Sequence, residues 1–322
     1  MVRSGGRERA TTAVVVLALL CPLALPDFYL YTAADLIIWA LLAISLDVLL
    51  GYAGLPSFGQ AAFFGVPAYT IGIVVSRGGP LTLAILAAIA ALLVIAMAVG
   101  YFATKTGGVG YIVVTMLASF SLFQLALVWT GLTGGENGLY LPRASSLAVL
   151  RVRAQYLVVA GLGSAVLWAS RRLARSGYGL ALAAVKSNER RCRALGYNVE
   201  RIKLQVTLVS AGIAGIAGIL YALVERALAP DLLGPGLSTE VVIWVLLGGA
   251  QTLVGPIMGA ALFVTLKQVL NTFESYPLVL GLLFVAVVTW APAGLIALRP
   301  PGRRRRRSPG GPRPSPPETG LG

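Results

Sequence analysis

The chain has 322 residues, of which 57% are hydrophobic and only 12% charged, and its mean hydropathy is +0.83. Soluble proteins carry about 25% charged residues, so this composition cannot cover a water-facing surface and excludes a soluble fold. The net charge of +14 does not point to nucleic acid, because the basic residues sit in blocks beside apolar runs, as positive-inside membrane proteins place them; the expected surroundings are a lipid bilayer.

A membrane span needs roughly 20 mostly apolar residues. Residues 1–10 are a basic start with Arg3, Arg7 and Arg9. Residues 11–30 read as an uncleaved first helix, since no small-residue cleavage site of a signal peptide follows. Segments 33–51 and 57–75 come next, the latter interrupted by Gly59, Gly65, Pro67 and Gly72. Segments 81–104 and 109–129 are uninterrupted, and a polar, Gly-rich stretch then leads to 154–169. A basic loop, 171–203, precedes segments 204–224, 240–254, 255–270 and 277–298. The tail 299–322 has five consecutive arginines, Arg303 to Arg307, among Pro, Gly and Ser, a composition expected to be disordered.

The predicted fold class is therefore an all-α polytopic membrane protein of about ten transmembrane segments with broken helices. Ten crossings with both termini cytoplasmic place 20 of the 26 basic residues inside, and one bent span over 240–270 would put the arginine-rich tail outside, against the charge rule. The transmembrane domain spans 11–298 and includes the 171–203 loop.

Two stretches resemble each other. Leu49-Leu50-Gly51-Tyr52-Ala53-Gly54-Leu55-Pro56-Ser57-Phe58-Gly59 joins the second and third segments, and Leu246-Leu247-Gly248-Gly249-Ala250-Gln251-Thr252-Leu253-Val254-Gly255-Pro256 joins the eighth and ninth. Irregular backbone at membrane depth must be buried in protein or line a water-filled cavity. Paired Gly/Pro-broken segments in two halves point to a transport pathway, so Gly51, Gly54, Ser57, Gln60, Gly248, Gly249 and Gln251 are pathway candidates. Close helix packing by small residues is the alternative. Asp47 and Glu240 fall near segment ends and are expected to be solvated there. With no His and no clustered carboxylates, neither acid–base catalysis nor a metal site is expected.

In the basic loop, Ser187 or Asn188 can cap a short helix with Glu189 in its first turn, and Gly196 supplies the stop. Leu195 and Val199 are expected on one side. Positive charge alone would hold such a loop inside, but the Ala181-Leu182-Ala183-Ala184-Val185 run ahead of the helix suggests a surface for docking as well.

Three passages carry a family resemblance. Leu50-Gly51-Tyr52-Ala53-Gly54 with Ser57-Phe58-Gly59-Gln60-Ala61-Ala62-Phe63-Phe64-Gly65, Thr133-Gly134-Gly135-Glu136-Asn137-Gly138-Leu139, and Ser187-Asn188-Glu189-Arg190-Arg191-Cys192-Arg193-Ala194-Leu195-Gly196 resemble LivM-type permeases, the membrane subunits of branched-chain amino acid ABC importers. The family usually has His where Gln60 stands. The resemblance implies a LivH-like second permease subunit, two cytoplasmic ABC ATPases and an extracytoplasmic solute-binding protein. It implies that Ser187, Asn188, Glu189, Arg190, Arg193, Ala194, Leu195 and Gly196 dock the ATPase. It also implies a branched-chain amino acid, or a related small amino acid or amide, as solute, and the bacterial cytoplasmic membrane as location. ATP and Mg²⁺ would belong to the partner ATPase, with no cofactor on this chain; accordingly, the sequence has no Gly-x-x-x-x-Gly-Lys-Ser/Thr phosphate loop. A stand-alone secondary transporter of small polar solutes is the second reading, and a membrane enzyme or anchor the third.

Overall fold

A computed structural model of the protein describes residues 26–106, 108–142, 151–270 and 281. The expected first and last segments, the basic N-terminus and the tail lie wholly or mainly outside these residues. Lipid offers the backbone no hydrogen-bond partners, so each apolar run closes its own hydrogen bonds as a helix. Helix α1 (Asp27–Leu46) continues into a π-helical turn, Asp47–Tyr52. Helices α2 (Gln60–Ser76), α3 (Leu81–Thr106) and α4 (Gly108–Val128) follow. A four-residue turn of helix, α5 (Thr130–Thr133), leads to strand β1 (Leu139–Tyr140), and α6 (Val152–Arg175) returns. Two short helices, α7 (Gly177–Ser187) and α8 (Glu189–Ala194), precede α9 (Val199–Glu225). Strand β2 (Ala227–Leu228), α10 (Pro235–Gly248) and α11 (Val254–Leu270) complete the described chain.

Among the described residues, five helices are long and apolar enough to cross a membrane: Asp27–Tyr52, Leu81–Thr106, Gly108–Val128, Val152–Arg175 and Val199–Glu225. Four of them are longer than the segment expected at their position, and Gly108–Val128 matches its expected length. The expected segments 57–75, 240–254 and 255–270 are the three shorter apolar helices α2, α10 and α11. The expected interruption of the third segment is displaced. Residues 54–59 are non-helical, but α2 runs unbroken through Gly65, Pro67 and Gly72. Those glycines serve packing: a Cβ on Gly65 would lie 2.7 Å from the Leu232 carbonyl oxygen.

Helix α9 packs against α1, α2 and α3. Small residues permit this approach, as in other membrane bundles; a Cβ on Gly218 would sit 2.0 Å from the Phe64 carbonyl oxygen. Trp39 of α1 stacks on Phe64 at 5.5 Å and meets Trp244 of α10 edge-on at 5.8 Å, so offset and perpendicular ring contacts fill the space between α1, α2 and α10. β1 and β2 pair antiparallel with Leu139 opposite Leu228, which ties the Thr133–Leu139 motif to the end of α9.

Candidate functional site

Helices α7 and α8 form a small unit with its own core. Val185, Cys192 and Val199 are buried together, with Ile202 against them. Asn188 is the N-cap of α8: its side-chain oxygen accepts a hydrogen bond from the Arg191 N–H at 2.9 Å, satisfying one of the orphan donors of the first turn. Gly196 has φ +86, and the Tyr197 N–H reaches the Cys192 carbonyl at 3.1 Å, the left-handed stop that glycine favours. The Tyr178 hydroxyl donates to the Ile202 carbonyl at 3.0 Å, fastening α7 to α9, and burial pushes its phenol up to about 12.

The expected faces of this unit are rearranged. Val199 is 1% exposed while Leu195 is 71% exposed, because the Gly196 turn reverses the chain between them. Glu189 is turned toward the bundle: its carboxylate is ion-paired with Lys203 of α9, and the Arg193 guanidinium lies 3.9 Å away. What remains outward is Ser187, Asn188, Arg190, Arg191 and a run from Arg193 to Asn198. The apolar Leu195 and Tyr197 stand in that run among cations.

The two broken stretches meet in space. Asp47, expected to be solvated, is fully buried. One carboxylate oxygen accepts from the Gln251 N–H at 2.6 Å and the other from the Leu253 N–H at 3.1 Å. It begins the π-helical turn that closes this segment, and the 249–253 loop folded over that turn keeps it from solvent. Gly51 is close to both ends of the first of these bonds: a Cβ there would meet the Asp47 carboxylate and lie 2.8 Å from the Gln251 nitrogen. The loop is left-handed at Gly249, Gln251 and Leu253, with φ of 99, 70 and 58. Lys186, the penultimate residue of α7, donates from Nζ to the Gly51 carbonyl at 2.6 Å. Gly54, at φ +71, accommodates the stem of that lysine.

Other pathway candidates are placed within the packing. Gln60 is fully buried; its carbonyl accepts from Ser45 Oγ at 3.0 Å and its amide donates to Ser210 Oγ at 3.0 Å. Ser210 in turn donates to the Ser45 carbonyl at 2.6 Å, so a polar knot joins α1, α2 and α9. Ser57 is buried, accepting from the Gly59 N–H at 3.1 Å. Gly248 meets α11: a Cβ there would sit 1.8 Å from the Gly255 carbonyl oxygen.

A cavity of about 710 Å³ is lined by Asp35, Trp39, Asp231, Glu240, Trp244 and Lys267, among others. Glu240, expected at a segment end, lies within α10 and is ion-paired with Lys267 at 2.8 Å, both side chains remaining partly exposed. Trp244 is 1% exposed, and its indole N–H has no acceptor. Among the described residues, no group of three carboxylate or thiol side chains gathers to hold a metal. Sequence reasoning overlooked Lys186, Lys203 and Trp244. A basic residue beside an apolar run was the available signal for the lysines, and Trp244 gave none.

Long apolar helices, a π-helical turn held against the loop between two other helices, and a charged unit anchored to the bundle define a polytopic membrane protein. The family described as "Branched-chain amino acid transport system / permease component" matches residues 28–289, and the chain belongs to it. The LivM high-affinity branched-chain amino acid transport system permease protein of Escherichia coli is 28% identical over 326 residues, covering 90% of this chain and 75% of that protein. The probable LivM protein of Methanocaldococcus jannaschii is 23% identical, covering 82% and 91%. The LsrC autoinducer 2 import system permease of Salmonella typhi is 26% identical, covering 64% and 60%. No solved structure matches significantly. The protein is thus a multi-pass permease of the bacterial cytoplasmic membrane and a component of a transport system.

Proposed function

We propose that this chain is one half of the translocation unit of an ATP-driven importer for branched-chain amino acids or a related small amino acid or amide. In this reading it has ten crossings and two cytoplasmic termini. Its partners are a second permease subunit, two ABC ATPases that bind ATP and Mg²⁺, and an extracytoplasmic solute-binding protein. The observation that carries the reading is the α7–α8 unit. Its polar anchors face the bundle, its outward run includes exposed Leu195 and Tyr197, and it is tied through Lys186 to the π-helical turn at Gly51. A loop whose only role was to carry positive charge needs no ion pair to a buried lysine and no exposed apolar pair.

The solute class draws support from the cavity. Asp35 and Asp231 supply carboxyl oxygens that can accept from an ammonium group, and Trp39 and Trp244 supply apolar walls. The N-terminus of α10, where Gly234 provides no side-chain cap, offers free N–H groups and a positive dipole end for a carboxylate.

The importer and the secondary transporter separate in one experiment. Proteoliposomes containing the chain with its partner permease, ATPases and binding protein are assayed for leucine uptake with and without ATP on the ATPase side. Uptake that requires both the ATPases and ATP supports the importer. Uptake by the permease subunits alone, driven by an ion gradient, overturns it.

A further inference from the structure

The importer reading leaves open how motion of the α7–α8 unit reaches the interior of the bundle. The hydrogen bonds supply a route. Lys186 lies two residues before the N-cap of α8, and its ammonium holds the carbonyl of Gly51. Gly51 belongs to the π-helical turn that begins with Asp47. The Asp47 carboxylate holds two N–H groups of the 249–253 loop, and the Tyr52 hydroxyl donates to the Gln251 carbonyl at 3.5 Å. The loop thereby joins the chain of contacts, although it lies 204 positions from Asp47 in sequence.

The loop needs such a hold. Gln251 and Leu253 adopt left-handed backbone, which side chains larger than glycine rarely take. Strained backbone of this kind persists only where its surroundings over-determine it. Hydrogen bonds from backbone N–H groups to an ionised carboxylate are among the strong ones, and here the acceptor is fully buried. A buried carboxylate that only stabilised α1 would have no reason to reach a loop between two other helices. Lys186 is also the cation whose field reaches the Asp47 carboxylate.

We propose that Asp47 is a positioning residue for transport: it latches the 249–253 loop, and Lys186 connects that latch to the docking unit. Displacement of α8 moves Lys186, shifts the Gly51 carbonyl and the turn with it, and loads or releases the two Asp47 hydrogen bonds. The inference rests on the importer reading for the source of the motion; the latch itself is testable without it.

The test uses the complete importer in proteoliposomes with Asp47→Asn, Lys186→Met and Lys186→Arg. Asn keeps the size but offers only one acceptor oxygen, and Met keeps the stem but loses the donor. The expected result is at least a tenfold fall in transported solute per ATP for Asp47→Asn and Lys186→Met. The ATPases should stay bound, the apparent KM for solute should be unchanged, and Lys186→Arg should restore much of the coupling. A purely structural role would lower the amount of complex and leave the coupling ratio alone. A second readout is independent of ATP. Gln251→Cys, in a Cys21→Ser, Cys192→Ala background, is labelled by a soluble maleimide, and either Asp47→Asn or Lys186→Met should accelerate labelling at least fivefold. Wild-type coupling and labelling in Lys186→Met overturn the proposal, even if Asp47→Asn fails to assemble. Wild-type uptake indifferent to ATP overturns the importer reading instead, and the labelling rates then decide the latch.

Discussion

Lys203, 2% exposed, is ion-paired with Glu189, the first residue of α8. The pair fixes the docking helix to α9 across the Gly196 turn, and a buried ammonium that loses its partner is left uncompensated. Breaking a buried pair costs about 3–5 kcal/mol. Glu189 is 38% exposed, so solvent screening reduces this to about 2 kcal/mol. Glu189→Gln is therefore expected to loosen the unit, measured as faster amide exchange over residues 188–196. Adding Lys203→Met removes the orphaned charge and should recover most of the protection. If the double variant exchanges faster than Glu189→Gln alone, the pair is not what holds the helix.

The knot around Gln60 predicts an asymmetry. Gln60→Leu removes two hydrogen bonds, but Ser45 and Ser210 retain backbone acceptors, so the loss is about 1 kcal/mol for each bond. Ser210→Ala instead leaves the Gln60 amide buried without an acceptor, costing about 1–3 kcal/mol, and removes the Ser210 bond to the Ser45 carbonyl, about 1 kcal/mol more. Thermal unfolding in nanodiscs should therefore find Ser210→Ala at least as destabilising as Gln60→Leu. The reverse order would show that water reaches Gln60.

Packing glycines should differ sharply from exposed ones. Gly248→Ala places a methyl 1.8 Å from a carbonyl oxygen of α11, and overpacking typically costs 1–3 kcal/mol. Gly161→Ala meets nothing within 4 Å and should gain roughly 0.5–1 kcal/mol of helix propensity. The amount of folded protein extracted from membranes checks both.

Much of this was legible in the sequence, for identifiable reasons. Long apolar runs specify helices because lipid leaves the backbone no alternative, and α3, α4 and α9 lie within a few residues of their expected places. Asn188 and Gly196 act locally, through a side chain three residues from its target and a single φ, so their roles could be read from the residues. Asp47 could not be read this way. Its partners are 204 and 206 positions downstream, so the loop that covers this segment end could not be inferred from the residues beside it. Glu189 showed its charge but not its direction, because Lys203 lies beyond the Gly196 turn. The break before α2 was visible in composition, but its extent was not, since Gly65, Pro67 and Gly72 are equally compatible with a kink and with tight packing.

Topology makes a further prediction. Epitope tags inserted beside Arg190 and after Arg307 should be protected in intact cells, and a tag beside Glu136 should be accessible. An accessible tag after Arg307 would mean an odd number of crossings and would reverse α10 and α11.

The most direct measurement places a photo-crosslinking amino acid at Leu195, with one at Val128 at the far end of α4 (79% exposed) as control, in the complete transport complex. The account predicts a covalent adduct between the Leu195 position and the ATPase subunit, and none from Val128. Illumination that yields no ATPase adduct from Leu195, in a complex that transports normally, would contradict the docking role of the α7–α8 unit and the importer mechanism built on it.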